Sequence, residues 1–316
     1  MKQIFGLIAL LLLPLPGSAQ ILKEGRLERV TQLTHDNARY ENPQWSPDGR
    51  HIAFTNYGYD NLYVMKADGT DMHRISDKTG VGFCYQWSID SREILGTDVS
   101  RNTVAGKMVR RQAAWAIDLN GNAERLTDDV VRMAPAAWRY SATGEVAVMS
   151  LDAPAVHRKA SVSKKMMKRA ASAVANTSFI CDPKGLWVVD AQGTKTLINA
   201  GPSFCPALSP DGKRVAFNEQ NNVCVINIDG TGKRVLDRGF NPCWVGNAQV
   251  VYEQSTDNGH TYTASDLYII GADGTARKAL TTTADRMEMC PAVSADGSKI
   301  VFTSFTDGQV YCADLK

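Results

Sequence analysis

One segment of this chain comes back along its length, and it decides the fold. Asn42-Pro43-Gln44-Trp45-Ser46-Pro47-Asp48-Gly49-Arg50 is repeated almost whole at Cys205-Pro206-Ala207-Leu208-Ser209-Pro210-Asp211-Gly212-Lys213, and with one proline lost at Cys290–Ser298. Shorter copies stand at Cys84–Asp90, Ala134–Trp138 and Asn241–Trp244. A spacing of about 40–50 residues is the mark of a propeller or a solenoid.

The residues between copies say which. After Asp48-Gly49 come His51-Ile52-Ala53-Phe54-Thr55, Leu62-Tyr63-Val64-Met65, Asp68-Gly69 and His73-Arg74-Ile75-Ser76. Short β-branched and aromatic runs divided by Asp-Gly turns are the grammar of antiparallel hairpins. Helical periodicity is almost absent from the repeats, which argues against a helical solenoid. Each unit therefore makes one four-stranded antiparallel blade. Six anchors, Trp45, Trp87, Trp138, Leu208, Trp244 and Val293, predict an all-β, six-bladed propeller. The last copy reaches only its third strand, at Gln309–Ala313. Arg26–Thr34 reads as a fourth strand placed ahead of the first copy. That strand is expected to complete the last blade, which closes the ring and removes an open sheet edge.

Met1-Lys2-Gln3, the apolar run Ile4–Leu13 and Gly17-Ser18-Ala19 read as a secretory leader with cleavage after Ala19. Residues 1–19 are assigned to it, and residues 20–316 to a single propeller domain. The apolar run is too short to span a bilayer, and no other stretch qualifies. No cysteine follows the run, so a lipid anchor is not expected. The reading is an exported, periplasmic or secreted protein.

Seven cysteines in such a chain raise the question of disulfides, but the number is odd and no Cys-x-x-Cys occurs. Most lie in expected strands, where a thiol behaves as a small hydrophobe, so core packing is expected for them. Cys84, Cys205 and Cys290 share one repeat position at the channel-facing strand. Alternate blades are expected to hold these thiols too far apart for one metal ion.

The formal net charge of +2 argues against nucleic acid as partner. Charge is nonetheless uneven. An insertion at about 152–178, between the second and third strands of blade three, carries Lys164, Lys165, Lys168 and Arg169. Val156–Val174 holds no acidic residue. Val162, Met166, Ala170 and Val174 share a helical face, so the segment could dock on an anionic surface. The alternative is a solvated loop, since Ala and Ser dilute the apolar face.

Pro-x-Trp-Ser-Pro-Asp-Gly followed by an Ile/Val-Ala-Phe strand resembles the repeat of the TolB-like propeller family. The hairpins Tyr63–Thr70 and Tyr268–Thr275 and the ending Arg125-Leu126-Thr127 resemble it too. The resemblance covers Arg26 to Lys316 and implies the fold. TolB itself is periplasmic, carries an α/β domain before the propeller, and works with a peptidoglycan-associated lipoprotein. This chain is expected to be a stand-alone propeller without that domain.

The motif itself is turn and core chemistry. Pro presets φ, Gly takes a positive φ, and the Trp or Leu packs between blades. Serine-peptidase propellers need a Gly-x-Ser-x-Gly elbow, which is absent here. Oligogalacturonate lyases with this propeller use a histidine-rich metal site. The five histidines, His35, His51, His73, His157 and His260, hold no common repeat position, so no metal or cofactor is expected.

One polar recurrence remains. Arg39, Arg132, Arg238 and Arg286 each precede a first strand, and those loops gather at one channel mouth. Four guanidinium groups there would favour carboxylates, sulfates or an acidic tip. Phe83, Phe204 and Phe240, with Tyr40, are expected to form an apolar rim. The competing reading pairs the arginines with Glu41, Asp129, Asp237, Asp285 and Glu288. The chain is thus expected to be a non-enzymatic binding scaffold for a cell-envelope protein or an acidic glycan. A lyase or hydrolase acting on acidic oligosaccharide is the alternative.

Overall fold

The computed structural model describes residues 23–129, 137–140, 145–149, 156–159, 177–182, 184–190 and 194–316. The strands form a six-bladed β-propeller, and the described residues contain no helix long and apolar enough to cross a membrane. Strand β1 (Leu27–Gln32) comes first. Blade one follows as β2 (Tyr40–Trp45), β3 (His51–Asn56), β4 (Leu62–Lys66) and β5 (His73–Ser76). Blade two is β6 (Gln86–Trp87), β7 (Glu93–Val104), β8 (Lys107–Asp118) and β9 (Ala123–Arg125).

The third repeat departs from the expected single sheet. Its span is divided between two three-stranded sheets, β10 (Ala137–Tyr140), β11 (Glu145–Met149) and β12 (Val156–Lys159), then β13 (Ser178–Asp182), β14 (Gly185–Val189) and β15 (Lys195–Ala200). The stretch from Trp138 to Leu208 holds more chain than four blade strands use. Leu186, Val188 and Ile198 of the second of these sheets pack on Val215 and Phe217 of blade four. The insertion residues Lys164, Lys165, Lys168 and Arg169 lie outside the described residues, as does Arg132.

Blade four is β16 (Ser203–Leu208), β17 (Arg214–Glu219), β18 (Asn222–Asn227) and β19 (Arg234–Arg238). Blade five is β20 (Phe240–Val245), β21 (Gln249–Asp257), β22 (Tyr262–Gly271) and β23 (Lys278–Ala279). Blade six is β24 (Glu288–Val293), β25 (Lys299–Ser304) and β26 (Val310–Leu315), with β1 antiparallel to β26 from Leu27↔Leu315 to Gln32↔Tyr311.

The repeat builds each first hairpin by a local clip. The Ser46 hydroxyl bonds Asp48 Oδ1 at 2.7 Å, and the Arg50 N–H reaches the same oxygen at 3.0 Å. Gly49, at φ +71°, closes the turn. Ser209–Asp211 and Ser294–Asp296 repeat the clip at 2.6 Å each. The Ser294 hydroxyl and the Ser298 N–H hold Asp296 below the usual carboxylate range.

The core lies between blades. Ile52, Phe54 and Met65 of blade one pack on Val301, Val310 and Cys312 of blade six. Each such fully buried side chain contributes about 1.5–3 kcal/mol. The anchor tryptophans also bond across blades: Trp45 Nε1 donates to the Ala292 carbonyl (3.2 Å), and Trp244 Nε1 to the Ala207 carbonyl (2.9 Å). Deletion of either indole therefore removes both apolar burial and an interblade hydrogen bond.

Candidate functional site

The innermost strands β2, β16, β20 and β24 each carry a bulge where their register shifts. Asn42, Cys205, Asn241 and Cys290 occupy the same bulge position, at φ +51°, +48°, +51° and +52°. Each stands directly before the proline of its repeat. A bulge re-aims its side chain, and here three of them converge from three blades. The Cys205 thiol bonds Asn241 Oδ1 at 3.1 Å, and Asn241 Nδ2 lies 3.9 Å from Cys290 Sγ.

Opposite each bulge, the second strand supplies a buried polar side chain: Thr55, Asn218, Glu253 and Thr303. Two of these reach the next blade. Asn218 Oδ1 accepts the Asn241 N–H at 3.0 Å, and Glu253 Oε2 accepts the Cys290 N–H. Glu253 Oε1 accepts from Asn241 Nδ2 at 3.1 Å. Burial pushes the Glu253 carboxyl up to about 7, against the pull of the Cys290 N–H and the Asn241 amide.

All seven cysteines are free thiols. Core packing holds for Cys224 and Cys312, which are buried. It fails for Cys84 and Cys205, which are exposed: Cys205 sits at the bulge of innermost strand β16 and Cys84 two residues before β6, both outside the interblade core. Cys181 is exposed as well, and Cys290 and Cys243 are half-buried. A thiol at the wall of a narrow lumen is reachable by solvent yet crowded by protein. That crowding pushes Cys84 and Cys205 up to about 11 and Cys181 up to about 12. These thiols stay protonated at neutral pH, which makes them poor nucleophiles and poor metal ligands. Among the described residues, no three His, Cys, Asp or Glu side chains stand where they could hold a metal ion.

Aromatic side chains crown this ring. Phe83 and Phe204 are 66% and 54% exposed, and Tyr57, on the β3–β4 turn, is 65% exposed. Tyr59 meets Phe83 edge-on at 5.4 Å, and Tyr262 meets Phe305 at 5.2 Å. Tyr59 also hydrogen-bonds Glu41, whose carboxyl burial raises. At the far end of the channel the repeated motif lines a cavity of about 320 Å³, with Trp45, Leu208, Trp244 and Val293 in its wall.

No protein-family model matches the chain. A protein TolB homolog of Chlorobium luteolum is 31% identical over 122 residues, 36% of this chain and 27% of the relative. The Tol-Pal system protein TolB of Alcanivorax borkumensis is 30% identical over 69 residues, 21% of this chain and 16% of the relative. The solved structure of a putative TolB from Agrobacterium tumefaciens matches with a TM-score of 0.51 at 14% identity, over 91% of this chain and 97% of that one. The fold of this chain is a TolB-like β-propeller. The chain spans about a quarter or less of the length of the two curated relatives.

On this TolB-like propeller, two of the three predicted mouth arginines among the described residues are held by local partners. The Arg39 guanidinium donates to the Phe305 carbonyl and lies 5.1 Å from the Phe305 ring. Arg286 is held by Glu288 at 2.9 Å and covers the Tyr311 ring at 4.7 Å. Arg238 is exposed at the end of β19. Asp237 pairs with Arg277 rather than with Arg238. Phe240 is half-buried, and Tyr40 is buried, its hydroxyl on Asp36 at 2.6 Å, so Tyr40 belongs to the core and not to the rim. Sequence reading missed Tyr57, Tyr59, Tyr262 and Phe305. All four sit at turns between second and third strands, which lie on the same face as the loops before the first strands. Aromatic residues recurring at those turns were the available signal.

Proposed function

We propose that this TolB-like propeller is an exported, non-enzymatic scaffold that binds a protein of the cell envelope with its aromatic-rimmed mouth. The observation that carries the reading is the exposure of Phe83 and Phe204 on the face that also bears Tyr57, Tyr59, Tyr262 and Phe305. Aromatic side chains left in water around a concave opening are the compositional signal of a protein interface. Arg39 and Arg238 add positive charge to the same rim. Leader residues Met1–Ala19 deliver the chain to the periplasm, and the Tol–Pal name of one relative supports an envelope partner.

An enzyme acting on acidic oligosaccharide rests on Glu253, a carboxyl perturbed to about 7 beside the channel. Both of its oxygens already accept hydrogen bonds from the bulge residues, which favours a structural role.

Photo-crosslinking residues placed at Phe83, Phe204 and, as a control on the opposite face, Lys213 test the scaffold reading in cells. The expected result is one partner captured from positions 83 and 204 only. Equal capture from position 213, or release of unsaturated product from polygalacturonate by the purified chain, overturns it.

A further inference from the structure

We propose that the β7–β8 hairpin is a docking arm that places an apolar tip and a cationic shank on an anionic lipid surface. The two strands pair without interruption from Glu93↔Asp118 to Val104↔Lys107. Among the described residues, neighbouring strands cover only the root: β6 pairs with Ile94 and Leu95, and β9 with Trp115, Ala116 and Ile117. Asp98 still anchors the base, accepting the Ala113 N–H at 3.1 Å, and the Val99 N–H bonds the Thr79 carbonyl. Beyond that point the hairpin runs on as a two-stranded ribbon of about 20 Å. It leaves the propeller on the mouth face, since its turn joins the second and third strands of blade two.

An isolated ribbon of this kind is marginally stable in water, and its composition makes it more so. Residues 99–117 contain Arg101, Lys107, Arg110 and Arg111 and no Asp or Glu. Arg101 lies directly opposite Arg110, a like-charge pair that repels across the strands. Among the described residues, none of the four is in an ion pair. Strand alternation puts Arg101 and Arg110 on one face and Lys107 and Arg111 on the other. Positive charge therefore surrounds the shank instead of marking one side.

The tip is different. Ala105 and Gly106, at φ +50° and +75°, make a tight two-residue turn. Val104 and Met108 beside it are 50% and 76% exposed. Val104 and Met108 at the tip, with Lys107 on the last rung and three arginines behind, suit end-on entry into a bilayer interface, where the apolar atoms lose water and each cation meets anionic headgroups. An acidic protein surface matches the charge but leaves the exposed Met108 without a role.

Flotation of the full chain with vesicles tests the arm. One set is phosphatidylcholine alone, and the other adds phosphatidylglycerol. Binding is expected to the anionic set only, to weaken with salt, and to fall about fivefold for each cation removed. Arg101→Gln with Arg110→Gln should therefore lose on the order of 25-fold in partitioning. Lys107→Gln with Arg111→Gln, on the opposite face, should lose as much, and Met108→Ser should weaken binding at constant charge. Unchanged thermal unfolding is the folding control, since none of these residues is in the core. Absence of wild-type binding to anionic vesicles, or its retention in either double variant, overturns the proposal. So does full binding by Met108→Ser, which would show that charge alone holds the arm and that the apolar tip takes no part.

Discussion

The carboxylate of Glu253, in the second strand of blade five, accepts the backbone N–H of Cys290, the bulge residue of blade six. Its other oxygen takes the Asn241 amide of its own blade. A single buried carboxyl thus joins two bulges at the channel wall, with a protonation equilibrium moved close to neutral pH.

Stability should therefore fall as pH rises through that equilibrium. The folded carboxyl titrates at about 7 against an ordinary value of 4.5, so the folded chain holds a proton that the unfolded chain has released. The stabilisation is complete below 4.5 and is lost as pH climbs to 7. The loss is on the order of 3 kcal/mol. Urea unfolding of the wild type should show the decline between pH 5 and 8. Glu253→Gln should flatten that window and exceed the wild type at pH 8. An unaltered slope in the variant would assign the decline to another group.

Asn241 should be costly to replace. Its side chain meets Cys205, Glu253 and Cys290, and its backbone sits at φ +51°, where Asn is better tolerated than most residues. Asn241→Ala loses the bonds and adds strain, about 2–3 kcal/mol in all. Asn241→Gly keeps the backbone comfortable and should lose less. Equal losses in denaturant titration would show that the backbone conformation contributes nothing.

Cys84 and Cys205 should be slow thiols despite their exposure. With titration near 11, the thiolate fraction at pH 7.5 is on the order of a hundredfold below that of a free cysteine. Iodoacetamide labelling followed by peptide mass analysis should give rates that keep rising to pH 11 at both sites. A plateau near pH 8.5 would contradict the crowding of the lumen wall.

Much of the fold is legible in the residues. Trp45, Trp87 and Trp244 stand at equal repeat positions because each packs between blades, and the Ser-x-Asp-Gly clips recur because each closes the same turn. The exposure of Phe83 and Phe204 follows from their place just before, or at the start of, a first strand. The inner ring was half visible. Cys84, Cys205 and Cys290 share a repeat position, but residue type does not report the positive φ that Cys205 and Cys290 adopt and Cys84 does not, nor that Asn42 and Asn241 complete the set. The buried layer of Thr55, Asn218, Glu253 and Thr303 uses three residue types in four blades, so no motif marks it. The long β7–β8 arm was hidden for another reason: its length lies in pairing register, and alternation reads the same in a covered strand as in a free one.

Arg286 and Arg238 should separate the two roles open to an arginine before a first strand. Glu288 is fully buried, and its partners are Arg286 at 2.9 Å, the Thr283 hydroxyl at 2.6 Å and the Thr281 hydroxyl at 3.2 Å. Arg286→Ala leaves that carboxylate without its countercharge and should cost about 3 kcal/mol or more. Arg238 is exposed, so Arg238→Ala should change stability by less than about 0.5 kcal/mol. Thermal unfolding of both variants, with titration of oligogalacturonate and of an acidic peptide, distinguishes the residues. Weaker ligand binding in Arg238→Ala at full stability places its guanidinium in the mouth site. Unchanged binding there removes Arg238 from the site and leaves the aromatic rim to recognise the partner.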